Sequence, residues 1–216
     1  MIKAVIFDLD GTLLDTLEDL TDSLNVALNQ YGYPTKSMSQ VRTYIGNGME
    51  RLVFLALNQP DDYKDVKEVY QGFKDAYANL YTNKSKPYPN VVSVLKQIQQ
   101  LGLKMAVCSN KNDMYVWDLV KLHFPNMIEF AIGEKDGVIR KPNPMMVQMA
   151  LDALKVEANE CLYVGDSIVD IKTAKAINIP VVALTYGFND KEDLVKEEPE
   201  YLIDEFIPLL EIIKQT

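Results

Sequence analysis

Short apolar runs alternate along this chain with longer segments of helical periodicity, and this alternation restricts the fold more than any other feature. Each run is too short for a helix, rich in β-branched residues and polar at its ends, which is typical of a buried strand. The four clear runs and a weaker fifth are Lys3–Phe7, Lys104–Cys108, Cys161–Val164, Pro180–Leu184 and Glu129–Gly133. The helical segments between them are 91–101, 113–122, 144–154 and 168–177. The pattern predicts an α/β fold with a doubly wound parallel sheet.

One long stretch interrupts this alternation. From Thr16 to about Asn83 there are helical patterns and no clear strand, with turn sequences at 31–34 and 58–60. Two apolar stripes of helical spacing lie there, Leu17, Leu20, Leu24 and Leu28, and then Val66, Val69, Tyr70, Phe73, Tyr77 and Leu80. We expect an all-α domain at 16–83, inserted into an α/β core formed by 1–15 and 84–216. A last stripe predicts a C-terminal helix on the sheet, with Ile203, Phe206, Leu210 and Ile213 on its apolar face.

The charge and the apolar content exclude several classes of function. The chain has 31 acidic and 22 basic residues and a formal net charge of −9. Nucleic acids and anionic membranes bind to basic surfaces, so we expect neither as a partner. No apolar stretch approaches the ~20 residues of a membrane span and no signal peptide is evident, which predicts a cytoplasmic protein. The oligomeric state stays open between monomer and homodimer.

The thiol and imidazole side chains offer little chemistry. Cys108 and Cys161 lie within apolar runs and lack the spacing of a zinc or redox site, so we expect buried reduced thiols. His123 is the only histidine, and no motif surrounds it. A Ser-His-Asp or Cys-His mechanism would have to use this residue, and a surface or helix-end position suits it better.

Two acidic residues follow the first predicted strand. Asp8 and Asp10 project to the same side because side chains alternate along a strand, and Gly11 then permits a sharp turn. Two carboxylates on one side are costly unless a cation lies between them. Asp-x-Asp-Gly is also an ordinary turn sequence, so this segment alone leaves a purely structural role open.

Polar residues also stand at later strand ends and in one loop. Ser109 and Asn110 follow the second strand, and Lys141 lies in a loop that prolines stiffen. Asp166 stands at the turn after the fourth strand, and Asp170 in the first turn of the next helix. In an open α/β sheet, ligands bind beyond the carboxyl ends of the strands. We therefore expect these side chains to converge at one edge of the sheet.

This set of side chains is typical of phosphoryl transfer. Convergent carboxylates that offer only oxygen ligands call for a hard cation, and Mg²⁺ is the common choice. A metal, one lysine and small hydroxyl or amide donors suit the negative oxygens of a phosphoryl group. One carboxylate can then attack phosphorus, and a second can protonate the leaving oxygen and later deprotonate water.

Four segments resemble, in the same order, the motifs of the haloacid dehalogenase-like (HAD) superfamily of phosphatases. They are Asp8–Thr12, Ser109–Asn110, Lys141–Pro144 and Gly165–Asp170. The resemblance implies a Rossmann-like core whose inserted helical cap closes over the site and excludes water. The dehalogenases themselves fit less well, because they lack a residue equivalent to Asp10 and do not use magnesium.

The resemblance also implies a role for each residue of these motifs. Asp8 would be the nucleophile, and Asp10 the general acid and base. The Asp8 and Asp166 carboxylates and the main-chain carbonyl of Asp10 would hold Mg²⁺, with Asp170 ordering the surroundings of the metal. The residues that would hold the phosphoryl oxygens are Thr12, Ser109, Asn110 and Lys141.

Three further segments are similar to phosphoglycolate phosphatases, namely 15–16, 44–52 and 184–188. The expected substrate is therefore a small phosphate ester, with 2-phosphoglycolate foremost. β-Phosphoglucomutases and pyrophosphate-hydrolysing relatives share the catalytic residues and stay open as alternatives, as does an inactive binding or regulatory relative. In the cap, the loop of Gly46, Asn47 and Gly48 is either a flexible turn or a reader of the non-phosphate end of the substrate. Arg42 and Arg51 are either partners for a substrate carboxylate or surface charges.

Overall fold

The chain divides into two compact units. The computed structural model describes residues 1–58 and 63–216. One unit comprises Met1–Leu14 and Pro87–Thr216, and the other comprises Asp15–Lys86. The first contains strands and helices, whereas in the described part of the second the regular elements are helices, with short strands only at its two ends. The domain boundaries expected from the sequence, 1–15 and 84–216 for the α/β core and 16–83 for the all-α domain, stay a prediction.

The first unit is built on a six-stranded sheet. In chain order, the strands of the whole chain are β1 (Ala4–Phe7), β2 (Leu14–Asp15), β3 (Lys86–Pro87), β4 (Lys104–Asn112), β5 (Phe130–Glu134), β6 (Cys161–Gly165), β7 (Val181–Leu184) and β8 (Tyr201–Ile203). The sheet has the order β5-β4-β1-β6-β7-β8, and every pairing in it is parallel. The short strands β2 and β3 pair with each other. The predicted α/β fold with a doubly wound parallel sheet is confirmed.

Helices connect the strands of the sheet and make up most of the second unit. In the second unit they are α1 (Leu17–Gln30), α2 (Met38–Arg42), α3 (Met49–Ala56) and α4 (Tyr63–Leu80). In the first unit they are α5 (Val91–Gln100), α6 (Asp113–His123), α7 (Met145–Leu154), α8 (Ile168–Ala176), α9 (Lys191–Lys196) and α10 (Leu209–Gln215). Within residues 1–58 and 63–216, none of these helices is both long and apolar enough to cross a membrane.

The sheet is buried on both faces, which explains why its strands are nearly continuous in apolar residues. On one face, Ile6, Cys108 and Tyr163 from three neighbouring strands join Val147 and Ala150 of α7 in a single buried cluster. The next residue of β1, Phe7, points to the opposite face because side chains alternate along a strand. Its ring centroid lies 6.1 Å from that of Phe206 in the C-terminal segment. This packing holds β1 rigidly at the centre of the sheet.

The C-terminal segment corrects one prediction. Ile203 belongs to β8 rather than to a helix, and β8 pairs in parallel with β7. Phe206 is buried in the turn that follows, and α10 begins only at Leu209, after Pro208. Proline is well suited to the start of a helix and poorly suited to its interior, so the segment splits into a strand and a short helix. The apolar spacing that predicted one helix therefore spans two elements.

In the helical unit, the two predicted stripes lie on α1 and α4. Leu24 and Leu28 of α1 and Phe73 and Tyr77 of α4 are fully buried. The predicted turn at 31–34 separates α1 from α2, whereas the predicted turn at 58–60 lies mostly outside the described residues. The apolar stripes thus form the core of this unit.

A buried carboxylate closes the helical unit. Asp19, in the first turn of α1, is only 1% exposed. Its oxygens accept hydrogen bonds from the Lys84 main-chain N–H at 3.0 and 3.1 Å, the Ser85 N–H at 2.8 Å and the Ser85 hydroxyl at 2.7 Å. Bonds of this kind to an ionised acceptor are among the stronger ones in proteins. Asp19 therefore ties the start of the unit to its end.

We expect Asp19→Ala to lower the free energy of unfolding by about 2–4 kcal/mol, because it leaves the N–H and hydroxyl groups of the buried Ser85, and the Lys84 N–H, without their acceptor. Asp22→Ala is the matched control, since Asp22 lies on the same helix with a side chain 43% exposed and pairs with the Lys84 ammonium. The control should change stability by no more than about 0.5 kcal/mol. Urea unfolding followed by circular dichroism measures both, and equal losses would contradict the role given to Asp19.

Candidate active site

Three carboxylates converge at the carboxyl edge of the sheet. Asp8 directly follows β1, Asp166 directly follows β6, and Asp170 lies in the first turn of α8. One oxygen from each of the three lies within 4.8 Å of the others. The strands β1 and β6 are neighbours in the sheet, so their ends bring Asp8 and Asp166 together. The structure thus brings together the acidic residues that the sequence pointed to, with Asp10 on the same turn as Asp8.

Gly11 allows this close approach. Its φ of +83° lies in the left-handed region, and its N–H donates to the Leu14 carbonyl at 2.9 Å to close the turn after Asp10. A Cβ atom at this position would stand 2.3 Å from a carboxylate oxygen of Asp166. Only glycine meets both requirements, conformation and space.

Lys141 places its ammonium group among the carboxylates. Its Nζ lies 3.0 Å from an Asp8 oxygen and 2.7 Å from an Asp170 oxygen, and its side chain is only 2% exposed. Burial alone would lower the pKa of Lys141, but the charges of Asp170 and Asp8 outweigh it and raise that pKa. The lysine therefore stays charged and offsets part of the repulsion between these acids.

Asp170 uses both of its oxygens on protein donors. One accepts from Lys141 and from the Tyr163 hydroxyl at 3.1 Å, and the other accepts from the Ser167 N–H at 3.1 Å and from its hydroxyl. Ser167 is also the N-cap of α8, in a reciprocal capping box with Asp170. Asp170 is fully buried and held rigidly, which suits a residue that positions Lys141.

Asp166 is held from two sides. The Thr12 hydroxyl donates to one oxygen at 2.7 Å, and the Phe188 N–H donates to the other at 2.8 Å. Burial, followed by the nearby charges of Asp170 and Asp8, raises the pKa of Asp166 well above its ordinary value. Because the Thr12 hydroxyl is committed to Asp166, the expected contact of Thr12 with a phosphoryl group stays a prediction.

Asn110 fixes the backbone at Lys141. Its side-chain amide donates to the Lys141 carbonyl at 3.0 Å, and its side-chain oxygen accepts from the Lys141 N–H at 2.9 Å. Ser109, its neighbour on β4, is buried, and its hydroxyl accepts from the Lys111 N–H at 3.3 Å. Both residues therefore stand at the site, and their contact with phosphoryl oxygens remains an expectation.

Lys111 is a site residue that sequence reasoning missed. Its ammonium lies 2.7 Å from an oxygen of Asp10, and its side chain is 2% exposed. The sequence shows Lys111 directly after Ser109 and Asn110, but the predicted strand ended at Cys108, whereas β4 continues to Asn112. The one signal in the sequence is the position of Lys111 directly after Ser109 and Asn110, two residues already expected at the site.

The cap residues singled out by the sequence lie in the helical unit. Gly46 and Asn47 precede α3, and Gly48 is its N-cap. The Arg51 guanidinium lies over the Phe54 ring, 4.7 Å from the ring centroid, and Arg42 ends α2. A role for any of these residues in recognising a substrate stays a prediction.

The environment of Asp8 changes its acidity. Burial, together with the charges of Asp170 and Asp10, raises the pKa of its carboxyl from 3.8 to about 7. The charge of Lys141 opposes the shift without cancelling it. A cation placed among these acids would favour the ionised form of Asp8, as expected for a metal site.

Comparison with known proteins supports a hydrolytic site. Residues 5–184 match the family described as haloacid dehalogenase-like hydrolase. A phosphoglycolate phosphatase from Vibrio parahaemolyticus is 35% identical over 219 residues, which cover 98% of this chain and 96% of that protein. A phosphoglycolate phosphatase from Aliivibrio fischeri is 34% identical over 222 residues, which cover 100% of this chain and 98% of that protein.

A solved structure resembles the whole chain as well. The crystal structure of a predicted phosphoglycolate phosphatase from Haemophilus somnus superposes with a TM-score of 0.91 at 30% sequence identity. The superposition covers 98% of each chain. The fold is therefore shared along nearly the full length of both chains.

The raised pKa of Asp8 predicts how stability depends on pH. The native state retains a proton that the unfolded chain releases near pH 3.8, so this contribution to stability is present at low pH and is lost as pH rises through about 7. In a chelator, the free energy of unfolding should fall by about 2 kcal/mol more between pH 5 and 7.5 in the wild type than in Asp8→Asn. Urea unfolding at both pH values measures this difference, and parallel pH profiles would contradict it.

Proposed function

Since this chain belongs to the haloacid dehalogenase-like hydrolase family, we propose that it hydrolyses 2-phosphoglycolate through an aspartyl-phosphate formed on Asp8. The chain is a phosphoric monoester hydrolase, because relatives that match it over nearly their whole length are phosphoglycolate phosphatases. The observation that carries the proposed mechanism is the Asp8 carboxylate at the end of β1, with Lys141 and Asp166 beside it.

A carboxylate nucleophile agrees with the other side chains near the site. Cys108, on β4, has a pKa raised to about 12 by burial and donates its thiol proton to the Met146 carbonyl oxygen. It is therefore a neutral thiol rather than a reactive thiolate. One oxygen of Asp8 accepts a hydrogen bond from the Leu9 N–H at 2.7 Å and also lies close to the Lys141 ammonium group. These two contacts fix the direction of the carboxylate.

The acidic residues fit a magnesium ion. Asp8 and Asp166 offer hard oxygen ligands, and the main-chain carbonyl of Asp10 would complete the protein's share. Asp170 is less suited to direct contact because each of its oxygens already accepts two hydrogen bonds, whereas each oxygen of Asp166 accepts one from Thr12 or Phe188. When bound, Mg²⁺ supplies positive charge that polarises the phosphoryl group.

The protein's own residues can carry both halves of the reaction. An Asp8 oxygen attacks phosphorus while the bond to the leaving oxygen breaks, and Asp10 gives that oxygen its proton. Asp10 then takes a proton from the water that attacks the aspartyl-phosphate, which releases phosphate and regenerates Asp8. Lys141 attracts the phosphoryl oxygens, and Ser109 adds a hydroxyl donor.

The substrate proposal comes from the relatives. The relatives from Vibrio parahaemolyticus and Aliivibrio fischeri, which match nearly the full chain, are phosphoglycolate phosphatases, and nothing in the described residues favours a mutase or a pyrophosphatase over them. The cap loop of Gly46, Asn47 and Gly48, with Arg42 and Arg51, would then meet the carboxylate end of the substrate. A cytoplasmic location would suit a soluble metabolite of this kind.

Removing the nucleophile should abolish turnover. We expect Asp8→Asn to lower kcat for a generic phosphomonoester by at least about 1,000-fold while the far-ultraviolet spectrum and unfolding midpoint show a folded protein. The control is Asp152→Asn, which changes an exposed carboxylate on α7 and should retain activity. Release of phosphate measures the rate, and normal turnover by the folded Asp8→Asn protein would refute the mechanism.

A panel of phosphate esters should identify the substrate. With Mg²⁺ present, we expect kcat/KM for 2-phosphoglycolate to exceed that for β-glucose 1-phosphate and pyrophosphate by at least about tenfold. Chelation of the metal should abolish the reaction with every ester, because the phosphate would then meet an uncompensated cluster of acids. Phosphorus NMR separates released phosphate from an isomerised sugar phosphate. A sugar phosphate product, or a higher kcat/KM for another ester, would overturn the substrate proposal.

A further inference from the structure

The buried ammonium group of Lys111 has no part in the function proposed so far. Only 4% of the residue is exposed, and its Nζ lies 2.7 Å from an oxygen of Asp10. A buried ammonium is costly, by several kcal/mol, unless an ionised partner offsets the lost hydration. An ion pair on the surface has little energetic cost, whereas the burial of Lys111 requires that the fold hold Asp10 next to its ammonium group.

A change in strand register delivers Lys111 to the site. Cys108 pairs with Ile132 and Asn112 pairs with Glu134, so three residues of β4 stand opposite Gly133 of β5. Extra residues in one strand break the regular alternation and redirect side chains. These three residues are Ser109, Asn110 and Lys111, all of which stand at the candidate site.

The extra residues of β4, 109–111, require a residue without a side chain opposite them on β5. A Cβ atom on Gly133 would lie 2.4 Å from the Lys111 carbonyl oxygen and 2.7 Å from the main chain of Asp113. Main-chain atoms cannot move aside as the end of a flexible side chain can. Gly133 therefore leaves the space in which the backbone carries Lys111 toward Asp10.

Each of the two acids at the end of β1 contacts a different buried lysine. Lys141 contacts Asp8 and Asp170, whereas Lys111 contacts Asp10. In the proposed reaction, Asp8 acts on phosphorus and Asp10 on protons, so each has a lysine of its own. This separation indicates that Lys111 serves the proton-transferring residue rather than the phosphoryl group.

We propose that Lys111 is a positioning residue that holds the Asp10 side chain in place for proton transfer. This inference rests on the proposed function, because it requires Asp10 as general acid and base. Lys111 neither donates nor accepts a proton in either half-reaction. It fixes one oxygen of Asp10 and thereby the direction of the other, which faces the leaving oxygen and later the attacking water.

Two substrates separate this role from phosphate binding. p-Nitrophenyl phosphate has a leaving group that departs without a proton, whereas an alkyl phosphate such as 2-phosphoglycolate needs one. We expect Lys111→Met to lower kcat/KM by about 100-fold for the alkyl ester and by only a few-fold for the nitrophenyl ester. Lys111→Gln, which retains a hydrogen-bond donor, should recover part of the loss and also covers the case in which the methionine variant fails to fold.

A double-mutant cycle tests whether Lys111 acts through Asp10. Because both substitutions would remove the same proton transfer, Lys111→Met should cost little further activity in an Asp10→Ala background. Lys135→Met is the matched control, since this lysine forms a more exposed ion pair with Asp113 after the next strand. It should leave the ratio of the two kcat/KM values unchanged.

Each result decides between the two proposals. If Asp10→Ala lowers kcat/KM equally for both esters, or the wild type hydrolyses neither, the proposed function fails. If Asp10→Ala selectively affects the alkyl ester but the folded Lys111 variants lower both substrates equally, only the inference about Lys111 fails. Additive losses in the double mutant would likewise overturn it.

Discussion

The rest of the active site depends on the attraction between the Lys141 ammonium and the carboxylates of Asp8 and Asp170. Three buried acids at one edge of a sheet would repel each other strongly, and burial together with this repulsion raises the pKa values of Asp8 and Asp166. Asn110 grips the Lys141 backbone, and Tyr163 and Ser167 hold Asp170. Much of the surrounding hydrogen bonding therefore holds the Lys141 ammonium group between these carboxylates.

Most of the fold and part of the site could be predicted from the sequence for one physical reason. Buried parallel strands carry near-continuous apolar runs, so Ala4–Phe7 and Cys161–Gly165 stand out, and their carboxyl ends point to Asp8 and Asp166. Periodicity fails where an element is short. Ile203, Phe206 and Leu210 share helical spacing, yet Pro208 and the pairing of β8 with β7 divide them between a strand and a helix.

Lys111 was missed for a different reason, since its position depends on a change of register. Alternation along β4 could not place it, because three residues of that strand stand opposite the single residue Gly133. The roles of Asn110 and Thr12 also depend on contacts distant in the chain. Their side chains bind the backbone of Lys141 and the carboxylate of Asp166, and no local pattern encodes either contact.

The pairing of β2 with β3 brings the two ends of the helical unit together. Topologically, Asp15–Lys86 is one long loop inserted between β1 and β4, with its entry and exit side by side. Asp19 closes that loop within the unit itself, through residues that belong to no strand of the large sheet. Evolution can therefore exchange or remodel this module without disturbing the register of the central strands.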